Sequence, residues 1–394
     1  MDLNRLWTHA MRALDYGVIK ACSILPVKER IIIFHSVPEF SDNPHAFYEY
    51  MCREHADEGY TLVWLTKDPS KYADKMTKNT RFVRAEGKGL LLKRDFYFAV
   101  AKLVLFTHSV PIRKWRRGQL FIGTTHSASQ LKGGDIRQQS AVRDMFPDYK
   151  LRCGQDGLER MMQTSGMPAD RFLVLGMPRL DVLFRHKECV SILFPDVQPK
   201  LTVIALETFK QNSKGWKDSD ARGSYGLNIV EDGEALTVLD EALAQRGILL
   251  VIKPHPLQDL SRVEMNRLNN IRFITDEQLA DANVQLYQLL ENCDALLTDY
   301  SSIYYDYLFL DRPIGFMIGD MDAYKRGFII DDPLSEMTGP KIRSVPELIG
   351  FLDDVLDGKD DYRQARASLK DRVFKYQDDK NCERLFRFLQ EYEK

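Results

Sequence analysis

The residues best equipped for chemistry sit where apolar runs stop. In Asp294-Ala295-Leu296-Leu297-Thr298-Asp299-Tyr300-Ser301-Ser302-Ile303-Tyr304-Tyr305-Asp306, an apolar run gives way to a polar turn and then to a helical pattern. Ala295 to Leu297 reads as a buried strand, Thr298 to Ser302 as the turn at its end, and Ile303 to Leu310 as the following helix. Such a helix start offers unpaired backbone N–H groups, and Ser301 and Ser302 add hydroxyl donors, so phosphate is the ligand it suits. The alternative is that Ser301 serves only as an N-cap. Upstream, Leu249-Leu250-Val251-Ile252-Lys253-Pro254-His255-Pro256 is a second buried strand, ending in a cation and an imidazole between two prolines. The prolines restrain the backbone of His255. Ligands of open α/β sheets bind beyond the carboxyl ends of the strands, so these two ends together outline an anion pocket.

The elements that must carry this pocket alternate. Strand patterns fall at Ile31 to His35, Thr61 to Thr66, Leu103 to Thr107, Leu120 to Thr124 and Phe172 to Leu175, with helices at Pro44 to Ala56, Leu90 to Val100 and Gln155 to Thr164. After a stretch containing Pro195 and Pro199 the pattern restarts. Strands are expected at Leu201 to Leu206, Leu249 to Ile252, Ile271 to Ile274, Ala295 to Thr298 and Ile314 to Met317. Helices are expected at Glu234 to Gln245, Leu286 to Glu291, Ile303 to Leu310, Val345 to Leu356 and Asp378 to Tyr392. Alternation of this kind specifies parallel sheets covered on both faces. Gln211 to Asn228, polar and glycine-containing, reads as a loop near the cleft. No G-x-G-x-x-G or Walker loop is present.

Lys253-Pro254-His255-Pro256, then Thr298-Asp299-Tyr300-Ser301-Ser302 with Asp306, then Asp311-Arg312-Pro313, then Asp320 and Tyr324, follow one another in an order that resembles the CDP-glycerol glycerophosphotransferase family of teichoic acid synthesis. Gly176-Met177-Pro178-Arg179-Leu180-Asp181 is similar to that family's Gly-x-Pro-Arg-x-Asp element. Thr208-Phe209-Lys210 resembles its Pro-Thr-aromatic-Arg element, with Glu207 where Pro is usual and Lys210 where Arg is usual. Thr125-His126-Ser127, followed by Leu131-Lys132, stands where the family carries Trp-His-Gly and a Leu-Lys.

The resemblance implies a GT-B fold, an α/β arrangement of two Rossmann-like domains facing across a cleft. Residues 1–190 are then the acceptor-side domain, 191–375 the nucleotide-donor domain, and 376–394 a helix packing back toward the first. It also implies transfer of glycerol phosphate, or a related alditol phosphate, from CDP-glycerol to a hydroxyl of a lipid-linked or glycan acceptor, with release of CMP. On that footing His126 is the candidate base and His255 a donor to the pyrophosphate, roles that the sequence leaves exchangeable. Lys253, Thr208, Lys210, Thr298, Asp299, Ser301, Ser302, Asp306, Asp320, Tyr324 and Arg179 are expected on the donor side, and Lys132 and Asp135 on the acceptor side. No cofactor beyond the donor substrate is expected. Two other readings use the same pocket: a glycosyltransferase or sugar-nucleotide epimerase taking a UDP- or GDP-sugar, and a non-catalytic nucleotide-binding homologue.

Composition sets outer limits. The 394 residues suffice for two domains, and 44% hydrophobic with 28% charged residues is the balance of a globular chain. A formal net charge of −2 argues against a surface built for nucleic acid. Cys22, Cys52, Cys153, Cys189, Cys293 and Cys382 are scattered, without a C-x-x-C pair, which suits a reducing cytoplasm. The acidic pairs Asp331-Asp332 and Asp360-Asp361 read as solvated turns rather than a metal site. No apolar run approaches the roughly 20 residues that cross a bilayer. Leu3, Leu6, Trp7, Ala10, Met11, Leu14, Val18 and Cys22 nevertheless recur at helical spacing beside basic residues, giving either an interfacial helix or one packed on its own domain. With the cluster Arg113-Lys114-Trp115-Arg116-Arg117, this leads to the expectation of a cytoplasmic protein peripheral on the inner face of the cell membrane.

Overall fold

The first sheet is entirely parallel. In the computed structural model its strands are β1 (Lys28–His35), β2 (Thr61–Thr66), β3 (Thr80–Arg84), β4 (Ala101–Thr107), β5 (Leu120–Thr124), β6 (Tyr149–Arg152) and β7 (Phe172–Val174), in the order β3-β2-β1-β4-β5-β6-β7. Helices α1 (Leu3–Cys22), α2 (Asp42–Glu54), α3 (Leu92–Val100) and α4 (Leu158–Ser165) accompany it, and α5 (Cys189–Leu193) follows in the chain before the second sheet. The structure describes residues 3–87, 91–108, 110–112, 116–124, 147–208, 225–255, 258, 260, 263–264, 267–324, 327–328 and 330–392, with side chains from residue 13 onward.

The second sheet repeats the plan. Strands β8 (Leu201–Leu206), β9 (Ile248–Ile252), β10 (Ile271–Phe273), β11 (Ala295–Thr298), β12 (Ile314–Met317) and β13 (Lys341–Ile342) run parallel in the order β10-β9-β8-β11-β12-β13. Around it lie α6 (Gly233–Arg246), α7 (Asp276–Asp281), α8 (Leu286–Glu291), α9 (Ile303–Tyr307), α10 (Pro333–Glu336), α11 (Val345–Leu356) and α12 (Arg363–Val373), and the chain ends in α13 (Asn381–Tyr392). Every residue of β8, β9, β11 and β12 is buried, which is why these strands read as continuous apolar runs rather than alternating ones. Packing on the sheet is close at Gly315, where an added Cβ would lie 2.8 Å from Ile342 and 2.9 Å from Leu297.

Several elements depart from the sequence expectation. Strand β3 (Thr-Arg-Phe-Val-Arg) and strand β6 (Tyr-Lys-Leu-Arg) went unread because charges interrupt their apolar pattern, and β3 carries its arginines on the exposed edge of the sheet. Helix α12, rich in Arg and Lys, was also missed. The helix expected over Ile303 to Leu310 is α-helical only to Tyr307 and tightens into a 3₁₀ turn over Leu308–Leu310.

The amphipathic first helix is packed on its own domain along its second half. Ile19 is fully buried in the core with Val100 and Val104, and Asp15 pairs with Arg94 of α3 at 2.7 Å. Leu14 stays half-exposed. No described helix is long and apolar enough to cross a membrane.

Chain reversal at the C-terminus ties the domains together. Cys382, Leu385 and Phe386 of α13 join the core of the first sheet with Phe34, Phe47 and Leu105. Asp181 receives the backbone N–H groups of Asn381 (3.0 Å) and Cys382 (2.8 Å), so it caps the start of α13. Gly176 has φ +85°, and the carboxamide of Asn381 occupies the space where a Cβ would stand.

Candidate functional site

In both sheets the strand order reverses direction next to the first strand, between β1 and β4 in one and between β8 and β11 in the other. Such switch points leave a crevice beyond the carboxyl ends. The two carboxyl edges face one another. Asp42 opens α2 beyond β1, Asp306 lies in α9 beyond β11, and Arg179 reaches both, with Nη1 2.8 Å from Asp42 and Nη2 2.7 Å from Asp306.

The second crevice is built around one carboxylate. Asp299, with no exposed surface, accepts the Thr208 N–H at 3.0 Å, the Thr208 hydroxyl at 2.6 Å and the Ser301 N–H at 2.9 Å. It therefore fixes the chain leaving β8 against the chain leaving β11. Thr298 donates its hydroxyl to the Leu206 carbonyl at 2.6 Å and pins the same two strands one step earlier. Ser302 occupies the N-cap position of α9 without a side-chain capping bond. The alternative, that Ser301 serves only as an N-cap, is not the one seen: both serines are partly exposed at the crevice, with the cap position one residue later.

The neighbouring strand end supplies the cation and the imidazole. His255 is exposed three residues beyond β9. Lys253 is nearly buried and its ammonium lies 2.8 Å from Asp276, the first residue of α7. On the far side of β11, Asp320 accepts the hydroxyl of Tyr300 and the amide of Asn228 (3.0 Å), and the Tyr324 ring lies 4.4 Å from that of Tyr300. Burial, and after it the nearby carboxylates of Asp320 and Asp299, push the Tyr300 phenol well above its usual range, so Tyr300 stays a donor. Asn228 also donates to the Met317 carbonyl at 2.8 Å, and its own N–H is accepted by Glu207 at 3.1 Å.

Two residues expected at the donor phosphates are held in a buried contact with each other. Arg179 and Asp306 are 3% and 0% exposed and are paired with each other, with the Tyr287 hydroxyl 2.5 Å from the same Asp306 oxygen. A guanidinium committed to two carboxylates and covered by protein is an interdomain fastener. Thr298, Asp299 and Asp320 are likewise buried, and they shape the crevice through the bonds above. The accessible groups that the structure brings to one edge are Ser301, Ser302 and His255, with Thr208 and Lys253 just beneath the surface. His126, Lys132, Asp135 and Lys210, together with Thr125, Ser127 and residues 211–224 of the expected loop, lie outside the described residues. The described chain stops at Thr124, the end of β5 on the carboxyl edge of the first sheet.

Residues 18–391 match the profile described as CDP-glycerol:poly(glycerophosphate) glycerophosphotransferase. The chain belongs to that family. Among curated relatives of the glycerophosphotransferase, a teichoic acid glycerol-phosphate transferase of Staphylococcus aureus is 25% identical, over 94% of this chain and 95% of its own. A teichoic acid ribitol-phosphate primase of Bacillus spizizenii is 24% identical, over 77% of this chain and 75% of its own. The solved structure of the wall teichoic acid polymerase TagF superposes with a TM-score of 0.74 at 21% identity, covering 96% of this chain and 93% of that one, and has the same two-domain GT-B fold.

Sequence reasoning missed three members of this glycerophosphotransferase site, and Tyr287 of the interdomain contact. Glu207 was visible only as a departure from the family's Pro, and its role emerges once Asn228 is seen to fold back on it. Asp276, Asn228 and Tyr287 carried no signal, because each acts through a partner distant in sequence. The acidic pairs are accounted for locally: Asp332 caps α10 and Asp360 pairs with Arg366. Among the described residues no cluster of three or more His, Cys, Asp or Glu side chains is arranged to hold a metal ion.

Proposed function

We propose that this family member transfers glycerol phosphate from CDP-glycerol to a hydroxyl of a lipid-linked acceptor at the inner face of the membrane. The observation that carries the reading is the pairing of Thr208 and Ser301 on one buried carboxylate at the switch point, with His255 on the next strand but one. That geometry supports reading the accessible hydroxyls and imidazole of this edge as donors to a pyrophosphate. The acceptor oxygen attacks the β-phosphorus, the bond to CMP breaks, and CMP leaves with the electron pair. Enzyme groups then have three tasks: to take the hydroxyl proton, to align the attack and to offset charge on the phosphates.

His126 is our base, since a neutral imidazole accepts a proton near neutral pH. His255, Ser301, Ser302, Lys253 and Lys210 act on the pyrophosphate. Closing the two carboxyl edges on one another excludes water, which would otherwise hydrolyse the donor. The test is release of CMP from CDP-glycerol with and without a lipid-linked acceptor, beside CDP-ribitol and UDP-sugars as competing donors. Acceptor-dependent CMP release, lowered about 10²–10⁴-fold by His126→Ala with CDP-glycerol still bound, is the expected outcome. Turnover of a UDP-sugar in place of CDP-glycerol would overturn the assignment.

A further inference from the structure

We propose that the edge of the first domain binds an anionic membrane lipid, with one hydrocarbon chain lying in a groove between α3 and the edge strand β3. The groove has a volume of about 390 Å³. Leu92, Lys93, Phe96 and Tyr97 stand at i, i+1, i+4 and i+5 on one face of α3, opposite Arg81 and Val83, and Met76 closes one end. Leu92 and Met76 are 55% and 52% exposed, so the rim offers apolar surface that the folded chain leaves in water.

The charges on this groove share one sign. Among the described residues, Arg81 and Lys93 are its only ionisable side chains apart from the Tyr97 phenol, and no carboxylate lines it. Arg81 donates only to the carbonyls of Thr77 (2.7 Å) and Thr80 (2.8 Å), and Lys93 meets no partner among the described residues. Apolar walls with two uncompensated cations complement a hydrocarbon chain that bears a phosphate or carboxylate. The groove also adjoins a flank of the same character. α3 is fastened to α1 through Arg94 and Asp15, and beyond α1 stand Ile24 (88% exposed) and Leu25, whose backbone carbonyl accepts from Arg116 at 2.6 Å. Exposed aliphatic side chains beside arginine are what a lipid headgroup region accommodates.

This inference rests on the proposed membrane setting but is tested without the reaction. The full-length protein is titrated with dodecyl phosphate, and separately floated with vesicles of phosphatidylcholine alone or with phosphatidylglycerol added. Dodecyl phosphate is expected to saturate one site, and Lys93→Glu to weaken it about thirtyfold, the effect of reversing one charge at about 1 kcal/mol per unit. Leu92→Asp should abolish binding, Ile24→Asp should leave dodecyl phosphate affinity unchanged, and flotation should require phosphatidylglycerol. CMP release with a short soluble acceptor is measured on the same variants. Loss of lipid binding with normal CMP release supports the groove. Unchanged dodecyl phosphate binding in Lys93→Glu and Leu92→Asp overturns it while leaving the reaction intact. A groove variant that changes the oligomeric state instead would show that another copy of the chain covers this surface, which also overturns the proposal.

Discussion

Replacing Asp306 by Asn separates an interdomain fastener from a ligand of the donor. In the native protein one Asp306 oxygen receives Arg179 Nε at 3.1 Å, Nη2 at 2.7 Å and the Tyr287 hydroxyl at 2.5 Å, all inside the protein. Arg179 then keeps the carboxylate of Asp42, whose side chain is 15% exposed, but loses its fully buried one. Removing one partner of a buried pair costs about 3–5 kcal/mol, because the other charge stays desolvated. Domains hold only about 5–15 kcal/mol in total, so this is a large fraction of the second domain's stability. At about 2–4 °C per kcal/mol, the midpoint of thermal unfolding should fall by on the order of 10 °C. Calorimetry reads this directly. The double variant Arg179→Met, Asp306→Leu strands neither charge with the other and should melt above Asp306→Asn alone, a coupling of about 0.5–3 kcal/mol. Since α9 starts directly after Ser302, loosening it should raise KM for CDP-glycerol more than it lowers kcat. A variant that melts with wild type while KM rises tenfold would refute the fastener and return Asp306 to the donor.

Ser302→Ala and His255→Ala, which alter groups at the accessible edge of the crevice, should weaken CDP-glycerol binding by about 1.5–3 kcal/mol each with unchanged melting; wild-type affinity in both would remove the pocket assignment. Glu207→Ala should raise KM about two- to tenfold by freeing the Asn228 N–H, while Glu207→Gln, which keeps an acceptor oxygen, restores it. Identical KM in the two variants would count against the brace. Burial, opposed by Arg94 and reinforced by Asp15, pushes the Asp95 carboxyl up to about 6. The folded chain then holds a proton that the unfolded chain releases between about pH 4 and pH 6, so this group subtracts stability as pH rises through that window. The melting difference between Asp95→Asn and wild type should therefore grow in favour of the variant from pH 4 to pH 6 and level off above; a flat difference would reject it.

What could be read in the chain beforehand follows from range. Leu201 to Leu206, Ala295 to Thr298 and Ile314 to Met317 are strands in the positions their apolar runs indicate, because both faces of a central parallel strand are buried and the whole run must be apolar. Edge strands escape that requirement, which hid β3 and its arginines, and with them the groove beside α3. In the site, residue type located the crevice but not the direction in which each side chain is spent. Asp299 and Ser302 stand three residues apart, yet one is consumed in holding Thr208 and the other faces the crevice. Arg179 and Asp306 are separated by 127 positions in the sequence, and only their meeting shows that the Gly176-to-Asp181 element fastens the two domains and caps α13. A motif can therefore act through the element it builds, here by setting how two carboxyl edges confront each other.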